Sequence, residues 1–180
     1  MSILAPDAPI SVLFDADTLA ERVSTLADEI VASMGPTPLI IPVLKGSFIF
    51  AADLLRALHC AGAVPDMDFI SLSSYGAGTN SRGEVTIVRD TEADIADRDI
   101  LIVDDILESG RTLAFAKDLM MARRARTVKT CVLLNKPGKL AVAMKADFVG
   151  FDCPDKFVIG YGMDVAHAYR QLPFVGAVES

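Results

Sequence analysis

Apolar residues recur along the chain at two spacings, and the switches between them outline the elements. Ile10 to Phe14 is a short apolar run that predicts a strand. Leu19, Val23, Leu26 and Ile30 then repeat at helical spacing, with Glu21, Arg22, Asp28 and Glu29 on the other faces, so an amphipathic helix follows. Thr18 and Glu21 fit a capping box at its start, Asp15 is a rival cap, and Gly35-Pro36 ends it. Leu39 to Leu44 reads as a buried strand, Lys45-Gly46-Ser47 as a tight turn, and Phe48 to Cys60 as a second helix.

Asp68 to Ser73 is strand-like, and a loop over 74–83 follows, with three glycines, polar residues and no apolar period. Glu84 to Val88 alternates as a strand. Asp99 to Val103 is almost wholly apolar, as expected of a strand covered on both faces. A helix from about Thr112 to Ala122 and strands at Val128 to Leu134, Phe148 to Phe151 and Phe157 to Ile159 complete the pattern. Such alternation predicts an α/β fold: a mostly parallel, twisted sheet flanked by helices, with ligand chemistry at the carboxyl ends of its strands.

At 180 residues and 52% hydrophobic, the chain has material for one sizeable core, which excludes disorder as its main state. Acidic residues outnumber basic ones by 24 to 17, and the net charge of −7 repels nucleic acid and anionic membrane surfaces. An anionic ligand must therefore be gripped locally. Cys60, Cys131 and Cys153 lack CxxC spacing and read as reduced, packed thiols. With no basic, apolar leader at the start and no apolar run near the roughly 20 residues that span a bilayer, a cytoplasmic location is expected.

The chemistry concentrates in Ile100-Leu101-Ile102-Val103-Asp104-Asp105-Ile106-Leu107-Glu108-Ser109-Gly110-Arg111-Thr112. A hydrophobic strand delivers two adjacent carboxylates, then a third, to a small-residue turn that opens a helix. Unpaired amides and the positive end of the helix dipole converge there, so Ser109 to Thr112 can cradle a phosphate. Adjacent carboxylates suit sugar hydroxyls, a metal or a developing positive charge instead. The plainer alternative is that Asp104 and Asp105 only cap the next helix. A Walker P-loop is excluded by the absence of Gly-x4-Gly-Lys-Ser/Thr, and Gly76-Ala77-Gly78 lacks the rest of a dinucleotide fingerprint.

This stretch resembles the phosphoribosyl-diphosphate signature of the type I phosphoribosyltransferases. Val43-Leu44-Lys45-Gly46-Ser47-Phe48, the loop with Ser74-Tyr75, Leu133-Leu134-Asn135-Lys136, and Asp147 to Phe151 through Asp155 to Asp164 further resemble the hypoxanthine(-guanine) phosphoribosyltransferases, in the same order. The likeness runs from about the first helix to Arg170. It implies one phosphoribosyltransferase domain over 1–180, with a small hood built from the terminal segments, and purine salvage as the function. The expected reaction is Mg²⁺-dependent transfer of 5-phosphoribosyl from phosphoribosyl diphosphate to hypoxanthine, and to guanine, by a homodimer or homotetramer. The apolar stretch around Phe48 to Leu58 is a candidate subunit contact.

By the same resemblance, Asp104 and Asp105 bond the ribose hydroxyls, and Glu108, Ser109, Gly110, Arg111 and Thr112 wrap the 5′-phosphate. Lys45 and Gly46 meet pyrophosphate with Arg170, next to a non-proline cis peptide characteristic of the family. Lys136 donates to the purine O6, Phe157 stacks on the base, and Val158 offers backbone groups to its edge. Asp164 holds Mg²⁺, and Ser74 and Tyr75 belong to a lid. Two departures stand out: Asp-Asp replaces a common Glu-Asp, and Glu108 replaces the usual Asp proposed to accept the N7 proton. Glu is one methylene longer, roughly 1.5 Å, so it suits N7 only if the loop sits back or the side chain folds.

Read without the resemblance, Lys45 is an exposed turn lysine, Lys136 a solvated strand-end charge, and Phe157 and Val158 core. Two rivals accompany the main reading. One is a regulator of the same fold that binds RNA or DNA through Arg123, Arg124, Arg126 and Lys129, against which the net charge counts. The other is a transferase for xanthine or another 6-oxo base.

Overall fold

Alternate residues of the central strands face opposite ways, and both directions are apolar. Ile40, Leu101, Val103, Cys131 and Leu133 pack with Leu19, Val23, Leu26 and Ile30 and with Phe50 and Leu54 in one buried layer. Leu39, Ile41, Val43, Ile100, Ile102 and Val132 join Leu113, Ala116 and Met120 in the other. A sheet apolar on both faces must be covered on both, so helices flank it.

The computed structural model describes residues 10–74 and 85–178. Strand β1 (Ile10–Phe14) leads through helix α1 (Ala16–Met34) to β2 (Leu39–Leu44), helix α2 (Phe48–Cys60), β3 (Asp66–Met67), β4 (Ile70–Ser74) and β5 (Val85–Arg89). Then follow β6 (Asp99–Leu107), helix α3 (Arg111–Ala122), β7 (Thr127–Asn135), β8 (Phe148–Asp152), β9 (Val158–Ile159) and β10 (Val175–Val178). The main sheet has the order β5-β4-β2-β6-β7-β8, with β3 also paired to β2. Its pairs are parallel except β4 with β5. β1, β10 and β9 form a separate antiparallel sheet, the expected hood.

Several boundaries differ from expectation for local reasons. Helix α1 is capped by Asp15, whose Oδ1 accepts from the Thr18 amide at 2.9 Å, so the Thr18 capping box does not form. The strand expected at Asp68 to Ser73 starts two residues later, as β4, and the short β3 at Asp66–Met67 precedes it. β6 continues four residues past Val103, because Ile106 and Leu107 pair with Leu134 and Asn135 of β7; the acidic pair thus sits within a strand. Phe157 lies outside β9 and is exposed, which corrects its assignment to that strand. Cys131 and Cys153 are buried free thiols, whereas Cys60 is exposed, not packed. Phe50, Leu54 and Leu58 face the core, leaving Phe48 as the exposed large apolar residue of the proposed contact stretch. Tyr75 and 76–83 of the expected lid lie outside the described residues, as does the side chain of Ser74.

Candidate active site

At the carboxyl end of β6, the polar backbone is only partly used. The Asp104 carboxylate accepts from the Asp105 amide at 3.0 Å, and that of Asp105 from the Ile106 amide at 2.9 Å. Neither caps α3, whose N-cap is Gly110 at φ 78° with no side-chain cap bond. Among the described residues, the amides of Ser109, Gly110 and Thr112 donate to no protein acceptor. Donors at a helix start with no acceptor of their own form an anion site. The Ser109 carbonyl accepts from Ala141 at 2.9 Å, which folds the segment after β7 over this turn.

Two adjoining clefts open here. One, of about 200 Å³, is lined by Asp104, Ser109, Gly110 and Thr112 together with Ile106, Leu107, Glu108 and Leu113. The other, of about 260 Å³, is bordered by Asp105, Lys136, Phe157, Val158 and Asp164, with Ile106 and Glu108 common to both. Arg111 lines neither cleft and borders a separate groove with Val85, Phe115 and Asp118. Lys45 is exposed, and the peptide joining it to Leu44 is cis.

Lys136 is 6% exposed, so it is no solvated strand-end charge. Its Nζ lies 3.5 Å from Glu108 Oε1. Phe157, by contrast, is 56% exposed beside the cleft and free to stack on a flat ligand, while Val158 is buried. Asp164 pairs with Arg170 at 2.7 Å and accepts from the His167 amide at 2.7 Å. Burial first, and then the charge of Asp105, raises the Asp104 carboxyl well above the ordinary range; burial also raises Asp105.

Lys139 was not among the residues expected in the site, yet it borders the cleft, 3.4 Å from Glu108 Oε1 and 2.5 Å from Asp155. Its only signal was a third position after Lys136 beyond a Pro-Gly turn. The basic patch of the regulator reading is largely consumed by internal partners. Arg123 holds Asp90 and Thr91, Arg126 holds Asp99, and Lys129 reaches Ser33.

A family model described as "Phosphoribosyl transferase domain" matches residues 11–166. The chain belongs to the phosphoribosyltransferase family. Within it, the chain groups with the hypoxanthine(-guanine) phosphoribosyltransferases. The Bacillus subtilis hypoxanthine-guanine phosphoribosyltransferase is 42% identical over 93% of this chain and 92% of its own length. The hypoxanthine phosphoribosyltransferase of Salmonella typhimurium is 38% identical over 94% and 95%. Against the bifunctional TilS/HprT protein of Listeria innocua, at 45% identity, the chain spans 93% of itself but only 26% of the relative. Among solved structures, a Bacillus anthracis hypoxanthine-guanine phosphoribosyltransferase with HEPES in its active site superposes at TM-score 0.87 and 40% identity, covering 94% of this chain and 98% of that one. The main sheet, flanking helices and hood are thus the phosphoribosyltransferase fold.

Proposed function

We propose that this chain is a purine salvage enzyme that transfers 5-phosphoribosyl from phosphoribosyl diphosphate to hypoxanthine, and to guanine, with release of pyrophosphate. The observation that carries the reading is the adjacency of the two clefts. A phosphate-sized anion site beside acceptors for a sugar diol opens directly onto a pocket with a buried lysine and an exposed aromatic ring.

Each residue has a task that its surroundings suit. The free amides of Ser109, Gly110 and Thr112 take the 5′-phosphate, and Asp104 and Asp105 accept from the ribose 2′ and 3′ hydroxyls. Lys136 donates to O6 of the base; adenine presents a donor there and would leave a buried ammonium unpaired. Phe157 stacks on the purine, and the Val158 backbone meets its edge. Glu108, shared by both clefts and 3.5 Å from Lys136 Nζ, takes the N7 proton of the base directly or through a water, which makes N9 the better nucleophile. Lys45, Gly46 and Arg170 receive the pyrophosphate.

Among the described residues no group of three or more His, Cys, Asp or Glu forms a closed metal cage. The Asp164 carboxylate, one of several lining the cleft, fits Mg²⁺, which takes one or two carboxylates plus substrate phosphates and keeps several waters. Bound there, Mg²⁺ would supply charge neutralisation for the leaving pyrophosphate.

The three free cysteines agree with a reducing, cytoplasmic setting, and no helix among the described residues is long and apolar enough to cross a membrane. We assign a homodimeric or homotetrameric assembly, with exposed Phe48 at the contact. A panel of hypoxanthine, guanine, xanthine and adenine assayed with phosphoribosyl diphosphate and Mg²⁺ tests the function. Turnover of hypoxanthine and guanine without adenine is expected; turnover of adenine alone, or of no base, refutes it.

A further inference from the structure

Three consecutive residues of the turn after β9, Gly160, Tyr161 and Gly162, have φ of 91°, 48° and 102°. Tyr161 alone of them carries a side chain, and left-handed backbone is disfavoured for such a residue unless its surroundings hold it. Its amide donates to the Leu172 carbonyl at 2.9 Å. Its Oη donates to Asp53 Oδ2 on α2 at 2.7 Å, while Oδ1 of Asp53 accepts from Arg56 at 2.6 Å. Burial, reinforced by the bond to Asp53, pushes the phenol pKa up, so Tyr161 stays a donor at neutral pH.

Tyr161 is buried in the core layer that also holds Val23, Phe50 and Leu54. Tyr161 borders an open groove of about 460 Å³ whose walls include Ala20, Val23, Ile49 and Ala57. Apolar packing fixes the ring, and the bond to Asp53 adds a directional tie from its hydroxyl to α2.

The next residue reaches the diphosphate side of the site. A Cβ on Gly162 would lie 2.2 Å from the Gly46 carbonyl oxygen, so the two backbones are in contact. The Gly162 carbonyl accepts from Arg170 Nη1 at 2.6 Å, and Arg170 Nη2 holds Asp164 at 2.7 Å. Gly162, the residue after Tyr161, thus touches both Gly46 and Arg170, and Arg170 extends the contacts to Asp164.

We infer that Tyr161 is a positioning residue: by donating to Asp53 it clamps the 160–162 turn onto α2 and so places Gly46, Arg170 and Asp164 for the diphosphate end of the donor. The inference rests on the transferase reading above. Lys136 and Glu108 stand just after β7 and β6, outside this chain of contacts, whereas Phe157 and Val158 adjoin the turn, so it is the Lys136 contact to the base that does not pass through the clamp.

Steady-state kinetics of the wild type and of Tyr161→Phe, Asp53→Leu and Asp53→Asn test it, with thermal midpoints recorded alongside. In Tyr161→Phe and Asp53→Leu, KM for phosphoribosyl diphosphate, and for pyrophosphate in the reverse direction, should rise about 5-fold, the effect of one lost hydrogen bond. KM for hypoxanthine should stay within about twofold in the same variants. Asp53→Asn keeps an acceptor for the phenol and should restore wild-type values. A lower thermal midpoint with both KM values unchanged, an equal rise in both, or failure of Asp53→Asn to restore them overturns the positioning role alone. A wild type without turnover of any base overturns the transferase reading and the clamp with it.

Discussion

The backbone of Gly46 lies against the carboxylate of Asp105: a Cβ at position 46 would stand 1.7 Å from Oδ2 and 2.6 Å from Cγ. The turn after β2 and the acidic pair of β6 are thereby fitted to each other, because β2 and β6 are parallel neighbours and their carboxyl ends emerge side by side. Gly46→Ala must displace either the turn or Asp105. Since both belong to the proposed donor site, affinity for phosphoribosyl diphosphate should fall by at least about 10-fold, as for loss of a hydrogen bond to a charged group. Titration calorimetry with the donor and Mg²⁺ reads this directly, and unchanged affinity would show that the contact is tolerant.

Asp104 gives a stability prediction with a definite sign. Burial, then the Asp105 charge, makes the folded chain hold this proton to well above the ordinary carboxyl value of 3.8. Folded protein then binds more protons than unfolded protein, so the stability contribution is fullest below the ordinary value and is lost as pH rises through the raised range. Asp104→Asn removes that titration. Its melting temperature should exceed that of the wild type at pH 8 by about 2–4 °C, the shift that ~1 kcal/mol produces in a domain of this size. The gain should shrink as pH falls toward 4, while donor affinity is weakened throughout. Thermal melts across that pH range check it; a gain independent of pH contradicts the assignment.

Lys136→Ala separates base recognition from donor binding. With hypoxanthine, kcat/KM should drop by about 10- to 100-fold, the range for a hydrogen bond to a charged group. KM for the donor should hardly move, and discrimination against adenine should narrow. Retained discrimination in a competition assay removes Lys136 from its role.

Glu108→Gln keeps the shape of the side chain but loses both its basicity and its ion pairs with Lys136 and Lys139. A general base commonly contributes about 10²-fold or more, and a fall of that order in kcat, with donor affinity preserved, is expected in single-turnover measurements. Full activity would mean that N7 loses its proton to another group.

Much of this architecture is legible from the chain alone where the signal is local. β2 and α2 fall at their expected residues because a continuous apolar run meets Lys45-Gly46-Ser47 and resumes at helical spacing. The limits of legibility are equally specific. Asp104 and Asp105 look like a loop after Val103, and only pairing with β7 keeps them in a strand. β10 has four residues, and its register with β1 joins opposite ends of the chain, so no local pattern announces it. In the site, the strand-end acids and the small-residue turn are visible from residue type. The approach of Gly46 to Asp105, the burial of Lys136 and the bond from Tyr161 to Asp53 arise from contacts between distant segments, which spacing does not encode.

A crystal structure of the protein with inosine monophosphate tests the two-cleft site most directly. The phosphate should rest on the amides of Ser109, Gly110 and Thr112, the ribose hydroxyls against Asp104 and Asp105, and the purine O6 within hydrogen-bond distance of Lys136 Nζ with Phe157 over the ring. A nucleotide bound away from these residues, or seated with its base in the phosphate cleft, contradicts it.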